Sequence, residues 1–227
     1  MLRMNSIKRK RTDKTAVKEH IVLAASKAFT QKGVKTVRMD DIAGGLSISK
    51  RTLYELFHDK EDLLLDVMKL HREEMQKYMT RVASEAENVL EVLLKFFQRS
   101  ARNFQNTNRK FFEDIGKYPK VVRYIAESRK ANLDSAMEFY RKGVEQGIFR
   151  KDVNYEIVRA MVSEQMGLLL HSEIGKSYSP GEIYETVVFM HMRGISMEKG
   201  LKIVDDFLLN VKDSDRISGS GAELVIK

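Results

Sequence analysis

Apolar residues recur along most of the chain at intervals of three and four positions, the spacing that places them on one side of a helix. The first stripe of this kind consists of Val17, Ile21, Ala24 and Ala28. It predicts a helix from about Lys14 to Lys32, which Gly33 ends because glycine readily adopts the left-handed backbone found after a helix. Strand-like alternation is not evident, and the chain has only 2 prolines. The pattern therefore predicts an all-α protein.

Two short helical segments and a longer one follow the first helix. The short segments, Met39–Leu46 and Lys50–Phe57, are separated by Ser47-Ile48-Ser49. Ser49 suits the N-cap of the second, because its hydroxyl can accept a hydrogen bond from a free backbone N–H there. Two helices joined in this way form a helix-turn-helix. The longer segment is predicted from Lys60 to about Arg81.

The rest of the chain is predicted to form longer helices, for a total of about nine or ten. They are predicted at about residues 90–104, 133–147, 154–174, 180–194 and 197–211, with a short segment around Phe111 and Phe112. Ser179-Pro180-Gly181-Glu182 is a nearly complete start signal, with a capping serine, a proline in the first turn and a glutamate at the third helical position. From Asp213 onward the sequence predicts a flexible tail.

Two of the late segments, Ile157–Leu170 and Val187–Ile195, are apolar around most of their circumference. A helix that is apolar all round must be buried all round. We therefore expect a homodimer through the helices at about residues 154–174 and 180–195, each with one side in the core and the other against the second subunit. The alternative is that both are central core helices of a single chain.

The positive charge of the protein is concentrated at one end. The net charge is +8, from 40 Lys and Arg against 32 Asp and Glu, and residues 1–60 hold 14 of the former and 6 of the latter. The remainder is therefore neutral. Such asymmetry indicates a module that binds a polyanion, with nucleic acid as the first candidate and an anionic membrane surface as the second. The basic arm from Lys8 to Lys14 is expected either to add sequence-independent attraction or only to aid solubility.

Composition excludes several classes of protein. Without cysteine the chain has no disulfide framework, thiolate zinc finger or cysteine nucleophile. No apolar run approaches the roughly 18 residues that span a membrane, and no signal peptide follows the basic start, so a cytoplasmic location is expected. The 5 histidines show no paired ligand spacing, and no phosphate-binding loop, nucleophile elbow or paired-carboxylate motif is present. We expect no catalytic site, metal or cofactor.

The second helix of the helix-turn-helix has two distinct faces. Leu53, Leu56 and Phe57 stand at positions i, i+3 and i+4 and point inward together. The helix start and the opposite side carry Ser49, Lys50, Arg51, Thr52 and Tyr54. Arg and Lys donate to guanine O6 and N7, while hydroxyl groups reach phosphates or base edges. This face fits the major groove of DNA, although an ordinary solvated helix surface would have the same pattern.

The same region closely resembles the DNA-binding signature of the TetR (tetracycline repressor) family. The matching residues are Ile42-Ala43, Ile48-Ser49, Thr52-Leu53-Tyr54, Phe57, Lys60-Glu61 and Leu63-Leu64. The likeness covers about residues 14–65, and beyond them only the all-helical layout is similar. The chain departs from the family at Ser47, where many members have glycine, at Arg51, where many have a small residue, and at Arg38, where threonine is common.

The resemblance implies a dimeric bacterial transcription regulator, usually a repressor, that binds a palindromic double-stranded DNA operator and is released by a small-molecule effector. It implies an N-terminal three-helix DNA-binding domain and a larger C-terminal helical domain. The DNA contacts it implies are Arg38, Ser49, Lys50, Arg51, Thr52, Tyr54 and Lys60. Of these, Ser49 to Thr52 would lie in the major groove, and the others would bind phosphates. When bound to DNA, the protein would be associated with the nucleoid.

Three regions follow from this resemblance: residues 1–60 as the basic arm and DNA-binding domain, residues 61–212 as the ligand-binding and dimerisation domain, and residues 213–227 as the flexible tail. The effector is unknown. Candidates for the wall of its pocket are Phe97, Phe104, Phe112, Met137, Tyr140 and Met166, although each also suits plain core packing. Two alternatives remain: an effector-independent DNA-binding member of the same fold, chromosome-organising or regulated by a protein, and a peripheral membrane protein that uses the basic arm.

Overall fold

The computed structural model describes residues 2–170 and 172–219, with side chains for residues 14–168 and 172–209. These residues form twelve helices and no strand, which confirms the all-α prediction. The helices are α1 (Leu2–Lys32), α2 (Met39–Gly45), α3 (Lys50–Leu56), α4 (Lys60–Glu85), α5 (Val89–Gln105), α6 (Arg109–Ile115), α7 (Pro119–Ala131), α8 (Leu133–Glu145), α9 (Tyr155–Leu170), α10 (Glu173–Ser177), α11 (Pro180–Ile195) and α12 (Glu198–Gly219).

The described residues form twelve helices rather than the nine or ten predicted, because the sequence pattern did not reveal two of them. The sequence pattern predicts no helix between the short segment around Phe111 and Phe112 and the one at residues 133–147. However, α7 begins at Pro119, where the missing N–H of proline costs nothing because the first helical turn leaves that position unbonded anyway. The single helix predicted for residues 154–174 is divided in two. Ser172 starts the second piece, α10, by accepting a hydrogen bond from the N–H of Gly175.

The first and last helices extend beyond their predicted bounds, whereas α2 and α3 agree with the prediction to within one residue. Helix α1 begins at Leu2 rather than near Lys14, and α12 continues to Gly219. Residues 213–219 of the predicted tail are therefore helical. Residues 220–227, the rest of that tail, lie outside the described residues.

The chain divides into two compact units, and the division does not follow the chain in order. The first unit consists of Met1–Tyr78 and Gln105–Ala131, and the second of Met79–Phe104 and Asn132–Lys227. Helices α6 and α7 thus pack with the N-terminal helices although α5 precedes them in the chain. The boundary at residue 60 stays a prediction about function, and the packing groups more of the chain with the helix-turn-helix than that boundary does.

The core of the first unit joins α1, α2, α3, α4, α6 and α7. Its buried side chains include Ile21, Ala25, Phe29, Leu53, Phe57, Leu63, Leu64, Val67, Phe111 and Val121. Phe29 on α1 and Leu53 on α3 are both fully buried. Because Leu53 anchors α3 in this core, the opposite side of that short helix must face outward.

The core of the second unit joins α5, α8, α9, α11 and α12. Its buried side chains include Leu90, Leu94, Phe149, Met166, Tyr184, Val188 and Val204. Gly143 on α8 allows Phe149 to pack directly on the helix backbone, since a Cβ at this position would lie 2.1 Å from Cδ2 of that ring. Any larger residue at position 143 would displace Phe149 from the core.

Candidate nucleic-acid interface

The start of α3 is built by two of the residues predicted to contact DNA. Ser49 has an extended backbone, with φ −70° and ψ 148°, and is the N-cap of the helix. Its Oγ accepts a hydrogen bond of 3.0 Å from the N–H of Thr52 and lies 2.8 Å from Oγ1 of Thr52. The two hydroxyl groups therefore stabilise the helix start, and a contact of either with DNA stays a prediction.

The turn before α3 depends on an unusual backbone conformation at Ser47. Its φ is +54°, and it is the one non-glycine residue with positive φ in the described part of the chain. The turn is closed by hydrogen bonds from the N–H of Ser47 to the carbonyl of Gly44 and from the N–H of Ile48 to the carbonyl of Ala43, both 3.1 Å. Ser47 therefore has the left-handed backbone that glycine would adopt at lower cost.

The inward and outward faces of α3 are those that the sequence predicts. Leu53 and Phe57 are buried, and Leu56 is half-buried. Lys50 and Arg51 are exposed on the outside, and about half of Tyr54 is exposed. A short helix of this kind presents cations and a phenol group on an outer face that the major groove of DNA can accommodate.

Both exposed cations of α3 are paired with carboxylates. Nζ of Lys50 lies 2.5 Å from Oδ2 of Asp40 on α2, and Nε of Arg51 donates to Oε1 of Glu55 over 2.9 Å. The hydrogen bonds raise the pKa of Lys50 and of Arg51, and the bond from Arg51 lowers the pKa of Glu55. Exposed pairs of this kind add little stability. Their effect is to orient the cations.

Lys60, predicted to bind a phosphate, is tied to the loop between α1 and α2. Its Nζ donates to the carbonyls of Val34 and Lys35 over 3.0 and 3.3 Å. Partial burial lowers the pKa of its ammonium group, and the nearby carboxylates of Asp114 and Asp41 act in the opposite direction. An ammonium group has three N–H donors, so one donor is left for a phosphate.

Arg38, the third predicted phosphate contact, begins α2. Its side chain is exposed, and its backbone N–H donates to Oδ2 of Asp41 over 2.9 Å. The carboxylate thus stabilises the first turn of α2, where backbone N–H groups lack partners within the helix. The position leaves the Arg38 guanidinium at the surface.

Helix α6 holds the same loop from the other side, and this support was not foreseen from the sequence. Oδ2 of the buried Asp114 accepts a 2.8 Å hydrogen bond from the N–H of Lys35, and Oδ1 accepts one from Nζ of Lys117. The backbone N–H of Asn108 donates to the carbonyl of Thr30 over 2.7 Å. A lone aspartate in α6 gives no sequence signal that it binds a loop 79 residues away.

The candidate pocket residues fall into separate groups. Phe97 and Phe104 lie on either side of Tyr184 at ring distances of 6.0 and 4.8 Å, whereas Tyr140 stacks on Tyr155 at 4.7 Å. Met166 is buried in the same second-unit core, and Met137 is half-buried on α8. Phe112 differs from the others, because it packs against the core of the first unit. A role of any of them in ligand binding stays a prediction.

Two polar groups in the second unit are buried in mainly apolar surroundings. Oε1 of Gln165 on α9 has no hydrogen-bond partner. The hydroxyl of Tyr184 is paired with Ser100, and burial strongly raises the pKa of that hydroxyl. Neither group stood out in the sequence, since both lie on helices that read as continuous apolar segments.

A cluster of possible metal ligands at the α3–α4 turn has a structural explanation. The ligand atoms of His58, Asp59 and Asp62 lie within 4.8 Å of one another. Oδ1 of Asp59 caps α4 by accepting from the N–H of Asp62, and Nζ of Lys120 lies 2.5 Å from Asp62 and 3.8 Å from Asp59. Helix capping by Asp59 and ion pairing of both carboxylates with Lys120 therefore account for the cluster.

Comparison with known proteins finds a matching family for the helix-turn-helix and a relative that aligns with a larger part of the chain. Residues 21–67 match the family described as bacterial regulatory proteins, tetR family. The chain is 22% identical over 152 residues to the HTH-type transcriptional repressor KstR2 of Mycobacterium tuberculosis, an alignment that covers 64% of this chain and 75% of KstR2.

Solved structures share the fold. A putative transcriptional regulator from Saccharomonospora viridis in complex with choline has a TM-score of 0.65 at 18% identity, covering 81% of this chain and 100% of its own. FadR of Thermus thermophilus in complex with lauroyl-CoA has a TM-score of 0.52 at 22% identity, covering 78% of this chain and 94% of its own. The ketosteroid transcriptional regulator KstR2 of Mycobacterium tuberculosis has a TM-score of 0.54 at 18% identity, covering 80% and 95%.

The helix-turn-helix with its exposed cationic helix, on an all-α chain, is typical of the class of DNA-binding transcription regulators. More narrowly, the helix-turn-helix region, residues 21–67, is similar to the tetR family of bacterial regulatory proteins. None of the helices in the described ranges is both long and apolar enough to cross a membrane.

Proposed function

We propose that the protein is a repressor that binds a palindromic DNA operator as a homodimer and is released by a small molecule. The observation that supports operator binding best is the outward face of α3, where Lys50, Arg51 and Tyr54 are exposed while Leu53 anchors the helix in the core. Arg38 and Lys60 lie at the starts of α2 and α4. We assign them to the phosphates that flank the groove.

The proposal of a homodimer rests on the surface of α9. Ile157, Met161 and Leu168 are 57, 46 and 71% exposed. At about 100° per residue they fall within about 40° of one another around the helix, so they form one apolar stripe. Val158, Val162 and Met166 pack into the core on the other side. An exposed stripe of large apolar residues is typical of a protein interface.

Helix α11 contributes less exposed apolar surface than the sequence led us to expect. Six of its large side chains, Ile183, Tyr184, Val187, Val188, Met192 and Ile195, are buried within the chain. Met190 is 57% exposed. We therefore propose that α9 supplies most of the apolar contact of the dimer, with α11 adding Met190.

A small-molecule effector is proposed by analogy with relatives of the same fold. The regulator from Saccharomonospora viridis binds choline, FadR of Thermus thermophilus binds lauroyl-CoA, and KstR2 is described as a ketosteroid regulator. Choline is a small cation, a ketosteroid is largely apolar, and lauroyl-CoA joins an apolar acyl chain to a strongly anionic CoA group. The buried apolar side chains around Tyr184 favour an effector with a large apolar part for this chain. We place the working protein in the bacterial cytoplasm, on the nucleoid.

The test is DNA binding by the full chain, measured as fluorescence anisotropy with a duplex from the region upstream of its own gene and with an unrelated duplex. Replacing Lys50 and Arg51 together with Ala should weaken specific binding by at least about 10-fold, because each good base contact contributes about 1–3 kcal/mol. Binding to the unrelated duplex should fall much less.

The matched control replaces Arg141 and Lys142 with Ala. These neighbouring cations are also exposed but lie on α8. They should change the affinity by no more than about two-fold, because salt screens distant surface charges. Equal losses in both double variants, or unchanged affinity in the α3 variant, would disprove the assignment of α3.

The same titrations are repeated with a ketosteroid, lauroyl-CoA and choline. An effector should weaken specific binding and raise the melting temperature of the protein, since a ligand that binds only the folded state stabilises it. If operator binding holds and no ligand changes it, the effector-independent alternative is favoured.

A further inference from the structure

Arg51 occupies the centre of the exposed face of α3. At about 100° per residue, the buried side defined by Leu53 and Leu56 is centred almost directly opposite Arg51. Tyr54 and Glu55 then lie on either side of Arg51, at about 60° and about 40° from it. All three are exposed. A DNA groove that receives α3 therefore meets Arg51 first, with a carboxylate beside it.

Glu55 binds Arg51 through one particular nitrogen. Oε1 of Glu55 lies 2.9 Å from Nε of Arg51. Nε carries one of the five N–H groups of a guanidinium, and the other four belong to the two terminal nitrogens. The Arg51 side chain is 88% exposed. Glu55 therefore binds the Nε edge of the guanidinium and leaves the terminal nitrogens open to solvent.

An arginine that reads guanine gains from being oriented in advance. The guanidinium is planar and presents its N–H groups as a rigid fork, which binds O6 and N7 of guanine with two parallel hydrogen bonds. A flexible arginine loses side-chain entropy when it adopts that geometry. A carboxylate that already holds Nε removes part of this loss, because it fixes the plane of the fork before DNA arrives.

We propose that Glu55 is a specificity-determining positioning residue: its hydrogen bond to Nε of Arg51 orients the guanidinium so that its terminal nitrogens read a guanine in each half of the operator. The proposal rests on the proposed function, since it requires α3 to enter the major groove. It assigns to Glu55 a role that its charge alone does not suggest, because a carboxylate beside DNA repels phosphates.

The repulsion gives the proposal a distinctive signature. A residue that merely adds affinity weakens binding to every sequence when it is removed. Removing Glu55 instead takes away a negative charge near the phosphates, so binding to unrelated DNA should stay constant or become stronger. The preference for guanine at one position should decrease at the same time. A purely structural role would not move these two quantities in opposite directions.

The experiment selects bound duplexes from a random library with the full-length protein and measures base preferences by sequencing and anisotropy. The wild type should prefer one guanine per half-site, and R51A should lose that preference. E55A should reduce the preference at the same position by at least about 5-fold, the lower end of what a bidentate contact contributes. E55Q should keep most of it, because its amide oxygen still accepts from Nε.

E113A is the matched control. Nε of Arg109 donates to Oε1 of Glu113 over 2.9 Å, four residues apart on α6, so this pair has the same geometry as that on α3. E113A removes the same charge and should leave every base preference unchanged. Circular dichroism of each variant checks that helical content is retained.

The outcomes separate the inference from the proposed function. A wild-type protein that selects no sequence contradicts the proposed function itself. If the wild type selects an operator but E55A keeps its guanine preference, the inference alone is wrong. An equal loss in E55Q and E55A also overturns it, since the hydrogen bond would then not be the cause. A changed preference at a position that R51A leaves unaffected would mean that Glu55 reads a base itself, which again contradicts the proposal.

Discussion

Ser47 has a backbone conformation that its side chain disfavours. Its φ of +54° places it in the left-handed region, which costs a residue with a Cβ about 1–2 kcal/mol. The turn between α2 and α3 requires this conformation, because the hydrogen bonds of residues 47 and 48 close back onto α2. The strain is retained at the point that sets the direction of α3.

We predict that S47G raises the free energy of unfolding by up to about 1 kcal/mol, since the relief of strain exceeds the added flexibility of the unfolded chain. S47V should lower it by about 1–2 kcal/mol, because a β-branched residue tolerates positive φ poorly. Urea denaturation followed by circular dichroism measures both values.

The control for the serine-to-glycine change is S135G, at an exposed position of α8 with ordinary helical backbone. It should lower the free energy of unfolding by about 0.5 kcal/mol, the difference in helix propensity. A loss of similar size in S47G would show that the turn is not strained.

At the scale of elements, the segment between α1 and α2 is held by two helices that come later in the chain. Lys60 at the start of α4 donates to the carbonyls of Val34 and Lys35, and Asp114 on α6 accepts from the N–H of Lys35. A Cβ at Gly33 would lie 2.6 Å from Cβ of Lys110, so only glycine allows α6 to approach this closely. The helix-turn-helix is thus supported by helices that follow it.

We predict that D114A lowers the free energy of unfolding by about 1–3 kcal/mol, because it leaves the partly buried N–H of Lys35 without its acceptor. Burial by itself would raise the pKa of Asp114, but the hydrogen bonds from Lys117 and from the N–H of Lys35 outweigh it, so the pKa is lowered. A carboxyl group whose pKa is lowered by folding stabilises the protein at pH values above its pKa in the unfolded chain. This stabilisation is lost as the pH falls through the pKa of the folded state.

The difference in stability between the wild type and D114A should therefore be largest near neutral pH and shrink below about pH 4, the usual range of an aspartate. Urea titrations at several pH values measure it. E113A, which removes a carboxylate from the exposed neighbouring position, should stay within about 0.5 kcal/mol of the wild type at every pH. A pH-independent effect of D114A would contradict the ionic part of the argument.

At the scale of the whole molecule, the exposed apolar stripe of α9 is the feature that a single chain does not explain. Three large apolar side chains on one line of a helix are left in water, while the other side of the same helix is packed in the core. Exposure of this kind is costly, at roughly 25 cal/mol per Å² of apolar surface. Burial against a second copy would recover this free energy.

We predict that M161E combined with L168E converts the protein to a monomer, because the new carboxylates would be buried in the dimer contact. Helical content should be retained, since both positions are exposed within the single chain. Size-exclusion chromatography with light scattering measures the mass. The matched control, V122E, introduces a charge at a 44% exposed apolar position of α7 and should leave the dimer intact. A wild-type monomer at micromolar concentration would disprove the dimer.

The fold class and the limits of α2 and α3 were predictable because they depend on local patterns. Residues at helical spacing, the capping Ser49 and the break at Gly33 act over a few positions of the chain. The bond between Arg51 and Glu55 also has the i, i+4 spacing of a helical pair, so the sequence alone contains the signal for it. Splitting of the predicted 154–174 helix was missed, because polar residues such as Ser172 and Glu173 can also lie on the exposed side of a continuous helix, whereas here Ser172 caps α10.

By itself the sequence determined that the chain is helical, that its positive charge lies in the first 60 residues, and which side of α3 faces outward. Only the tertiary structure decided which groups those cations meet. Asp40 on α2 pairs with Lys50 on α3, and Lys60 donates to the carbonyls of residues 34 and 35. Asp114 on α6 accepts from the N–H of residue 35. The reason is physical: helical periodicity is a property of neighbours in the chain, whereas a hydrogen bond between distant residues depends on how helices pack, which no short pattern records.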